Sequence, residues 1–341
     1  MKEDRTAENQ NRPNPQRIMH MASAFYESCV LFAATDLGLF DVINEAGNAD
    51  AETVASAKGL SSRGTRLLLD ACVAVGLLRK EDDQYHNTDE AAAFLVSGQP
   101  GDLSRALRYN RDVYPAWGKL AELVRSGEPV ERPQIHLGED PQRTQAFVHA
   151  MHGRAMAIGQ AVVPLLELGE CSQLLDIGGG SGAYSMLIAQ RFPGLSSTVI
   201  DLPGILEVSR TLVDGLGLSD RVQCLDGDYH TFDFPGGNDA VIIFGVLHQE
   251  GPESILDILK RAHASLNPGG RIYILDMMTD ATRCNPPFSA LFAVNMALTK
   301  EEGWVFADTE MITWLTEAGF QNPTCQSLQP PMPHWLATAT K

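Results

Sequence analysis

From Gln173 onward, five short apolar runs, QLLDI, STVID, RVQCL, AVIIF and RIYILD, alternate with stretches of helical periodicity. Runs this short and this apolar, with helical patterns between them, predict strands buried on both faces in a parallel sheet covered by helices. Strand candidates near Thr324 and over Trp335–Thr338 flank the turn QPPMP and predict a closing antiparallel hairpin at the sheet edge. The expected fold class is α/β: a doubly wound, mostly parallel, seven-stranded sheet.

The residues before Gln173 read differently. A chain of 341 residues is long for one core. Residues 1–17 are polar and Pro/Asn-rich and predict a disordered tail, followed by an apolar helix from Ile18 to Leu37. Next come a short helix, a Gly59 stop, a Ser61/Ser62 cap, a second helix to about Val75 and two short strands around Leu77 and Tyr85. That order is the winged-helix pattern, and residues 18–100 are expected to form a helical winged-helix domain. Its second helix offers Arg63 and Arg66 against an acidic wing of Glu81, Asp82 and Asp83, which argues against nucleic acid as a partner. After the SGQPGD break, helices over Leu103–Arg125 and Pro141–Leu168, parted by a polar Pro-containing loop, predict a bridging region over 101–170. Residues 171–341 then form the sheet domain.

Composition narrows the partners further. The net charge of -17 is unsuited to a phosphate backbone. The six cysteines are scattered, without a C-x-x-C pair or metal-ligand spacing, so buried reduced thiols and no metal are expected. The N-terminus lacks a secretion signal, and no stretch approaches the ~20 apolar residues that cross a bilayer. A cytoplasmic protein without membrane contact is expected.

The strongest chemical signal is LLDIGGGSGAYS, where a strand ends in Asp176 and runs through Gly178, Gly179, Gly180 and Gly182 into a helix. Glycines let the backbone turn sharply and approach a ligand at the carboxyl edge of the sheet. The second strand ends in Asp201, whose carboxylate can accept from both hydroxyls of a ribose. After the third strand, Gly227, Asp228 and Tyr229 stand where an adenine would find a hydrogen bond to its amine and an apolar contact to its ring. Because Gly178, Gly180 and Ala183 also satisfy G-x-G-x-x-A, a dinucleotide site shares these features.

The order and spacing of LLDIGGGSG, VIDLP, GDY, LNPGGRIYILD and LTEAGF resemble the class I methyltransferases. With the winged-helix start, they resemble the subgroup containing plant small-molecule O-methyltransferases and acetylserotonin O-methyltransferase-like bacterial enzymes, over roughly residues 18–341. The resemblance implies S-adenosyl-L-methionine as cofactor, a small-molecule acceptor, and an N-terminal region that makes an intertwined homodimer and covers the partner's site. It implies a cofactor set of Asp176, Gly178, Gly180, Asp201, Leu202, Gly227, Asp228 and Tyr229, with Phe244 where some plant members place a lysine. His248, in FGVLHQEG, matches the general base of the family; an imidazole with an ordinary pKa of ~6.5 suits that role. The family's His-Asp-Trp reads His248-Gln249-Glu250 here, and Glu301 or Glu302, with Glu302 carried as the candidate, would orient the base.

Phe147, His149, Met151 and His152 fall where the family places a lid helix, and Asn295, Met296 and Trp304 are expected to face the same acceptor pocket. Methyl transfer to a hydroxyl oxygen is the leading expectation. The alternative is an S-methyltransferase for a small thioether or thiol acid, its carboxylate held by Arg108, Arg111 or Arg154.

Overall fold

The computed structural model describes residues 13–99, 101–131, 141–328 and 332–341. Most of the expected tail, part of the polar loop after Arg125 and part of QPPMP lie outside these residues. The chain divides into two compact units, Met1–Arg108 and Tyr109–Lys341.

The first unit holds α1 (Gln16–Ser23), α2 (Phe25–Asp36), α3 (Leu39–Ala46), α4 (Ala51–Lys58), α5 (Ser62–Ala74), the strands β1 (Leu78–Glu81) and β2 (Gln84–Asn87), and α6 (Asp89–Phe94). The helix expected from Ile18 to Leu37 is two helices. The Ala24 N–H bonds to the Met21 carbonyl, a tighter turn that interrupts the α-helical ladder. Caps fix α4 and α5 as the sequence implies. Asp50 accepts from the Thr53 N–H at 2.8 Å, Ser61 accepts from the Gly64 N–H at 3.3 Å, and Gly59, at φ +65°, ends α4 in the left-handed conformation. Leu39, Phe40, Ile43, Leu69, Cys72 and Tyr85 form the core. By contrast α1 buries nothing: Ile18, Met19 and Met21 are 69%, 65% and 62% exposed.

The second unit contains most of α7 (Ser104–Trp117), then α8 (Leu120–Ser126) and α9 (Pro141–Val162). The single helix expected over Leu103–Arg125 is broken between α7 and α8, where Pro115 is followed by Gly118 and the Lys119 N–H reaches back only to Ala116. Likewise α9 stops short of Leu168, because Pro164 sits in a tight turn over Val163–Leu165.

The sheet then builds from β3 (Gln173–Ile177), α10 (Ala183–Arg191), β4 (Ser196–Asp201), α11 (Pro203–Gly215), β5 (Val222–Asp226), β6 (Asn238–Phe244), α12 (Pro252–Ser265), β7 (Leu266–Asp276), α13 (Pro287–Thr299), α14 (Asp308–Glu317), β8 (Gln321–Ser327) and β9 (Trp335–Thr340). The strand order is β5-β4-β3-β6-β7-β9-β8. The first five of these pair in parallel, while β9 pairs antiparallel with both β7 and β8, so β8 is the edge. The α/β fold class of the sequence reading is the one observed.

Alternation along the strands sends side chains to two faces. Leu175, Ile177, Val241, Ile243, Ile272 and Ile274 pack with α12 and α14. Leu174, Ala240, Ile242, Phe244 and Leu275 pack with α9 and α10 on the other side. Each large aliphatic side chain so buried contributes about 1.5–3 kcal/mol of transfer free energy. Every parallel strand ends at the same edge, and the order reverses around β3 and β6, which opens a crevice there.

Among the described residues no helix is long and apolar enough to cross a membrane. All six cysteines are free; only Cys72 is buried, whereas the sequence reading expected most to be, and Cys284 is exposed.

Candidate active site

The glycine turn after β3 is held from below. The N–H groups of Gly178 and Gly179 bond to the Ile200 carbonyl at 2.8 and 3.3 Å, and Gly178, Gly180 and Gly182 take φ of +65°, +58° and +73°. At Gly178 a Cβ would stand 2.7 Å from Val246, so no larger residue fits without displacing β6's following turn. At Gly180 a Cβ would meet nothing within 4 Å, so the space beside it is open.

Asp201 closes this turn. Its two carboxylate oxygens accept from the Gly180 N–H and the Leu202 N–H, each at 2.8 Å. Burial pushes its pKa up to about 6, against the two N–H bonds, and the Asp228 charge adds to the rise. Each oxygen keeps acceptor capacity for a diol.

Beyond β5, the Gly227 N–H bonds to the Asp201 carbonyl at 3.0 Å, and Tyr229 is fixed by its hydroxyl donating to Glu250 at 2.7 Å. Burial and that carboxylate together hold the Tyr229 pKa high. His230 bridges Asp228 (2.7 Å) and Glu250 (2.9 Å). Its partial burial alone would lower its pKa, but the two carboxylates raise it. Partial burial works the other way on Asp228, whose bonds from His230 keep it below the ordinary carboxylate value.

On the other side of the crevice, His248 lies in a tight turn after β6. Its Nδ1 is 2.7 Å from Asp276 Oδ1 at the end of β7, and its backbone N–H reaches Oδ2 at 3.2 Å. A carboxylate can only accept, so Nδ1 carries a proton, and in the neutral imidazole Nε2 then presents the lone pair. The same Oδ1 accepts from the Met277 N–H at 2.7 Å, and Asp276 is 1% exposed. Phe292 of α13 stands edge-on to the imidazole, centroids 5.3 Å apart.

Several expected residues sit elsewhere than the sequence reading put them. Glu302 does not orient His248: it is exposed, and its carboxylate accepts from the Gly251 N–H at 3.1 Å, capping α12. Trp304, half-buried, donates its indole N–H to the Glu250 carbonyl at 2.8 Å and packs its ring on Phe306 and Trp314, against the core. Phe244 is 7% exposed and lies edge-on to Tyr184 in the core. Asp176 is fully buried beneath the turn, where a Cβ on Gly179 would strike its carboxyl, so it underlies the turn and does not line the crevice. Asn295 and Met296 are 7% and 4% exposed; the Asn295 amide accepts from Trp117 Nε1 at 2.9 Å and donates to the Tyr109 hydroxyl at 3.0 Å.

His152 of α9 reaches the glycine turn, its Nδ1 3.1 Å from Ser181 Oγ, and burial lowers its pKa. Phe147, His149 and Met151 are half-buried on the same helix.

The sequence reading missed Asp276 and Glu250. Asp276 had a usable signal. It ends RIYILD on the strand beside β6, so the pairing Phe244↔Leu275 puts it abreast of the turn leading to His248.

A glycine turn, an acid at the next strand end and a third acidic turn, all on one edge of such a sheet, define a nucleoside cleft. The family models extend this: an O-methyltransferase domain matches residues 119–321 and an O-methyltransferase dimerisation domain residues 19–97. The chain is 30% identical to 3-hydroxy-5-methyl-1-naphthoate 3-O-methyltransferase of Streptomyces sahachiroi over 312 residues, 89% of each protein. It is 33% identical to rat acetylserotonin O-methyltransferase over 95% of this chain and 76% of that one. The solved human N-acetylserotonin methyltransferase in complex with its S-adenosylmethionine superposes with a TM-score of 0.86 at 27% identity, covering 97% of this chain and 99% of that one. The protein belongs to the S-adenosylmethionine-dependent O-methyltransferase family, with the dimerisation domain of that family at its N-terminus. The sulfur-methylating alternative finds no support in these relatives.

The residues present fit the cofactor: there is open space over Gly180, the buried Asp201 carboxylate keeps acceptor capacity that a ribose diol could use, and the Asp228–Tyr229 turn offers an acidic and an aromatic side chain.

Proposed function

We propose that the crevice transfers a methyl group to the hydroxyl oxygen of a small aromatic acceptor, with His248 as general base and Asp276 as the group that positions it. The observation that carries this reading is the 2.7 Å bond from His248 Nδ1 to Asp276, which leaves Nε2 bare at the strand edge. When bound, S-adenosylmethionine supplies a methyl group already activated by its sulfonium. The protein's own work is to hold the acceptor in line, take the hydroxyl proton on Nε2 and balance the resulting imidazolium with Asp276. The Gly178–Gly182 turn, Asp201 with Leu202, and Gly227 with Asp228 and Tyr229 hold the cofactor. Phe147, His149, Met151 and His152 of α9 lie on the acceptor side. An aromatic acceptor agrees with the naphthoate and acetylserotonin substrates in the relatives' names and with Phe292 against the base.

We read residues 18–100, with their helix, turn, helix and hairpin, as a winged helix used for assembly, 101–170 as the lid and 171–341 as the cofactor domain. The bare apolar face of α1 and the dimerisation family support a homodimer, since such a surface left in water is an aggregation liability.

The test is His248→Ala and His248→Gln on a hydroxyl acceptor. Loss of the base lowers kcat by ~10²- to 10⁴-fold while cofactor affinity holds. Near-normal kcat in both variants removes His248 from the reaction and leaves alignment as the source of rate.

A further inference from the structure

Two polar side chains have no role in the chemistry described so far. The first is Arg154, half-buried on α9 two residues beyond His152, whose contact with Ser181 fixes that helix against the glycine turn. The chain carries 43 acidic residues against 26 basic ones, and several of its arginines are paired. Arg210, Arg261 and Arg283 hold Asp226, Asp257 and Glu310 at 2.7, 2.8 and 2.6 Å, and Arg111 is taken by Asp112. Among the described residues no carboxylate lies within ion-pair distance of Arg154. Its charge instead acts on Tyr109, Tyr184 and His334.

The second is His334. It is 9% exposed, and its Nδ1 is buried with no hydrogen-bond partner among the described residues. It stands one residue before Trp335, which pairs with Asp276 across β9 and β7. It therefore borders the strand end that carries the carboxylate positioning His248. The charges it feels are those of Arg154, Asp276 and His248, and burial lowers its pKa to about 4. At neutral pH it is an uncharged donor and acceptor.

We propose that Arg154 and His334 form an anion-recognition subsite beside His248, and that the acceptor is a hydroxy-aromatic acid whose carboxylate docks there. A guanidinium fork with no carboxylate partner and a buried imidazole Nδ1 with no hydrogen-bond partner among the described residues, on separate segments, are satisfied together by one planar anion. A neutral phenol would leave the guanidinium unpaired. This deepens the hydroxyl-methylation reading and rests on it. The other carboxylate available to the crevice is that of the cofactor's methionine part, and the experiment separates the two.

Calorimetry on the full-length enzyme saturated with S-adenosylhomocysteine would compare a hydroxynaphthoate with the naphthol lacking its carboxylate. The wild type is expected to bind the acid at least about tenfold tighter. Arg154→Met should abolish that preference and His334→Phe reduce it about threefold, with S-adenosylhomocysteine affinity unchanged; Arg154→Lys should keep part of it. Equal binding of both probes by the wild type, or a preference that survives Arg154→Met, overturns the proposal. So does an Arg154→Met variant that loses S-adenosylhomocysteine and not the preference, for the guanidinium then serves the cofactor. No transfer step enters this measurement. A His248→Ala enzyme that keeps full kcat would sink the base reading alone, while a lost preference sinks only the subsite.

Discussion

The two halves of the crevice are built differently. On the cofactor side, at the ends of β3, β4 and β5, the working groups come from three contiguous motifs, and much of the holding is by backbone: Gly180 and Leu202 N–H on Asp201, Gly178 N–H on Ile200. On the acceptor side, at the ends of β6, β7 and β9, the groups come from segments far apart in the chain, and side chain holds side chain: His248 on Asp276, 28 residues away, and Asn295 on Trp117, 178 residues away. A cofactor common to many reactions can be gripped by local geometry that a short motif encodes. An acceptor particular to one enzyme is met by residues that only packing brings together.

The sharpest test of the acceptor half is Asp276→Asn. The amide keeps an oxygen for the His248 Nδ1–H but loses the charge that balances an imidazolium. We expect kcat to fall by about 10- to 100-fold with acceptor KM little changed, and Asp276→Glu to recover part of the loss. A rise in KM with kcat intact would mean that Asp276 shapes the pocket and leaves the base untouched.

The cofactor half should respond in binding and not in turnover. Asp201→Asn sets an amide N–H₂ against a backbone N–H and removes the anionic acceptor of the diol, so S-adenosylmethionine affinity should fall about tenfold or more. The raised pKa of Asp201 gives this a pH signature. Above about 6 the carboxylate is ionised and accepts; below it, protonation removes that acceptor, and wild-type affinity should decline as pH falls through this value. Calorimetry across that range should find the decline in the wild type and a flat line in the Asn variant. A wild-type affinity that does not vary with pH there would break the assignment of Asp201 to the diol.

How much of this was legible in the sequence follows the same division. The strands, the glycine turn and the acids at strand ends could be read because short apolar runs and glycine backbone demands are local. Helix ends were misjudged where proline intervened: Pro115 and Pro164 shortened helices that apolar periodicity alone would prolong. Glu302 stands in the segment where the family resemblance implies a glutamate that orients the base, yet its carboxylate caps α12. Trp304 looked like a pocket aromatic but is held by Phe306, Trp314 and the Glu250 carbonyl. At Glu302 and Trp304 a functional role was given to a side chain that the fold already uses, and no one-dimensional pattern distinguishes the two.

The smallest expected effect concerns Asp176, which the family resemblance had placed with the cofactor. Its carboxyl is fully buried; Oδ2 accepts from the Ser185 hydroxyl at 2.6 Å, and Oδ1 has no partner among the described residues. Burial raises its pKa from 3.8 to about 7, Ser185 opposes the rise and the Asp201 charge adds to it. For an acid whose pKa is higher in the folded state, stability is greatest below the unfolded value and is lost as pH rises through the folded one, here between about 4 and about 7. Asp176→Asn carries no charge to bury and escapes that loss. Its Tm relative to wild type should therefore climb across this window and end a few degrees higher near pH 8, offset in part by an unpaired amide N–H. S-adenosylmethionine affinity should move less than about threefold, because the side chain lies under the turn and not on its surface. A tenfold loss of affinity, with a Tm difference that ignores pH, would instead show the carboxylate acting on the cofactor through Gly179, and the cofactor half would then depend on buried side chains as the acceptor half does.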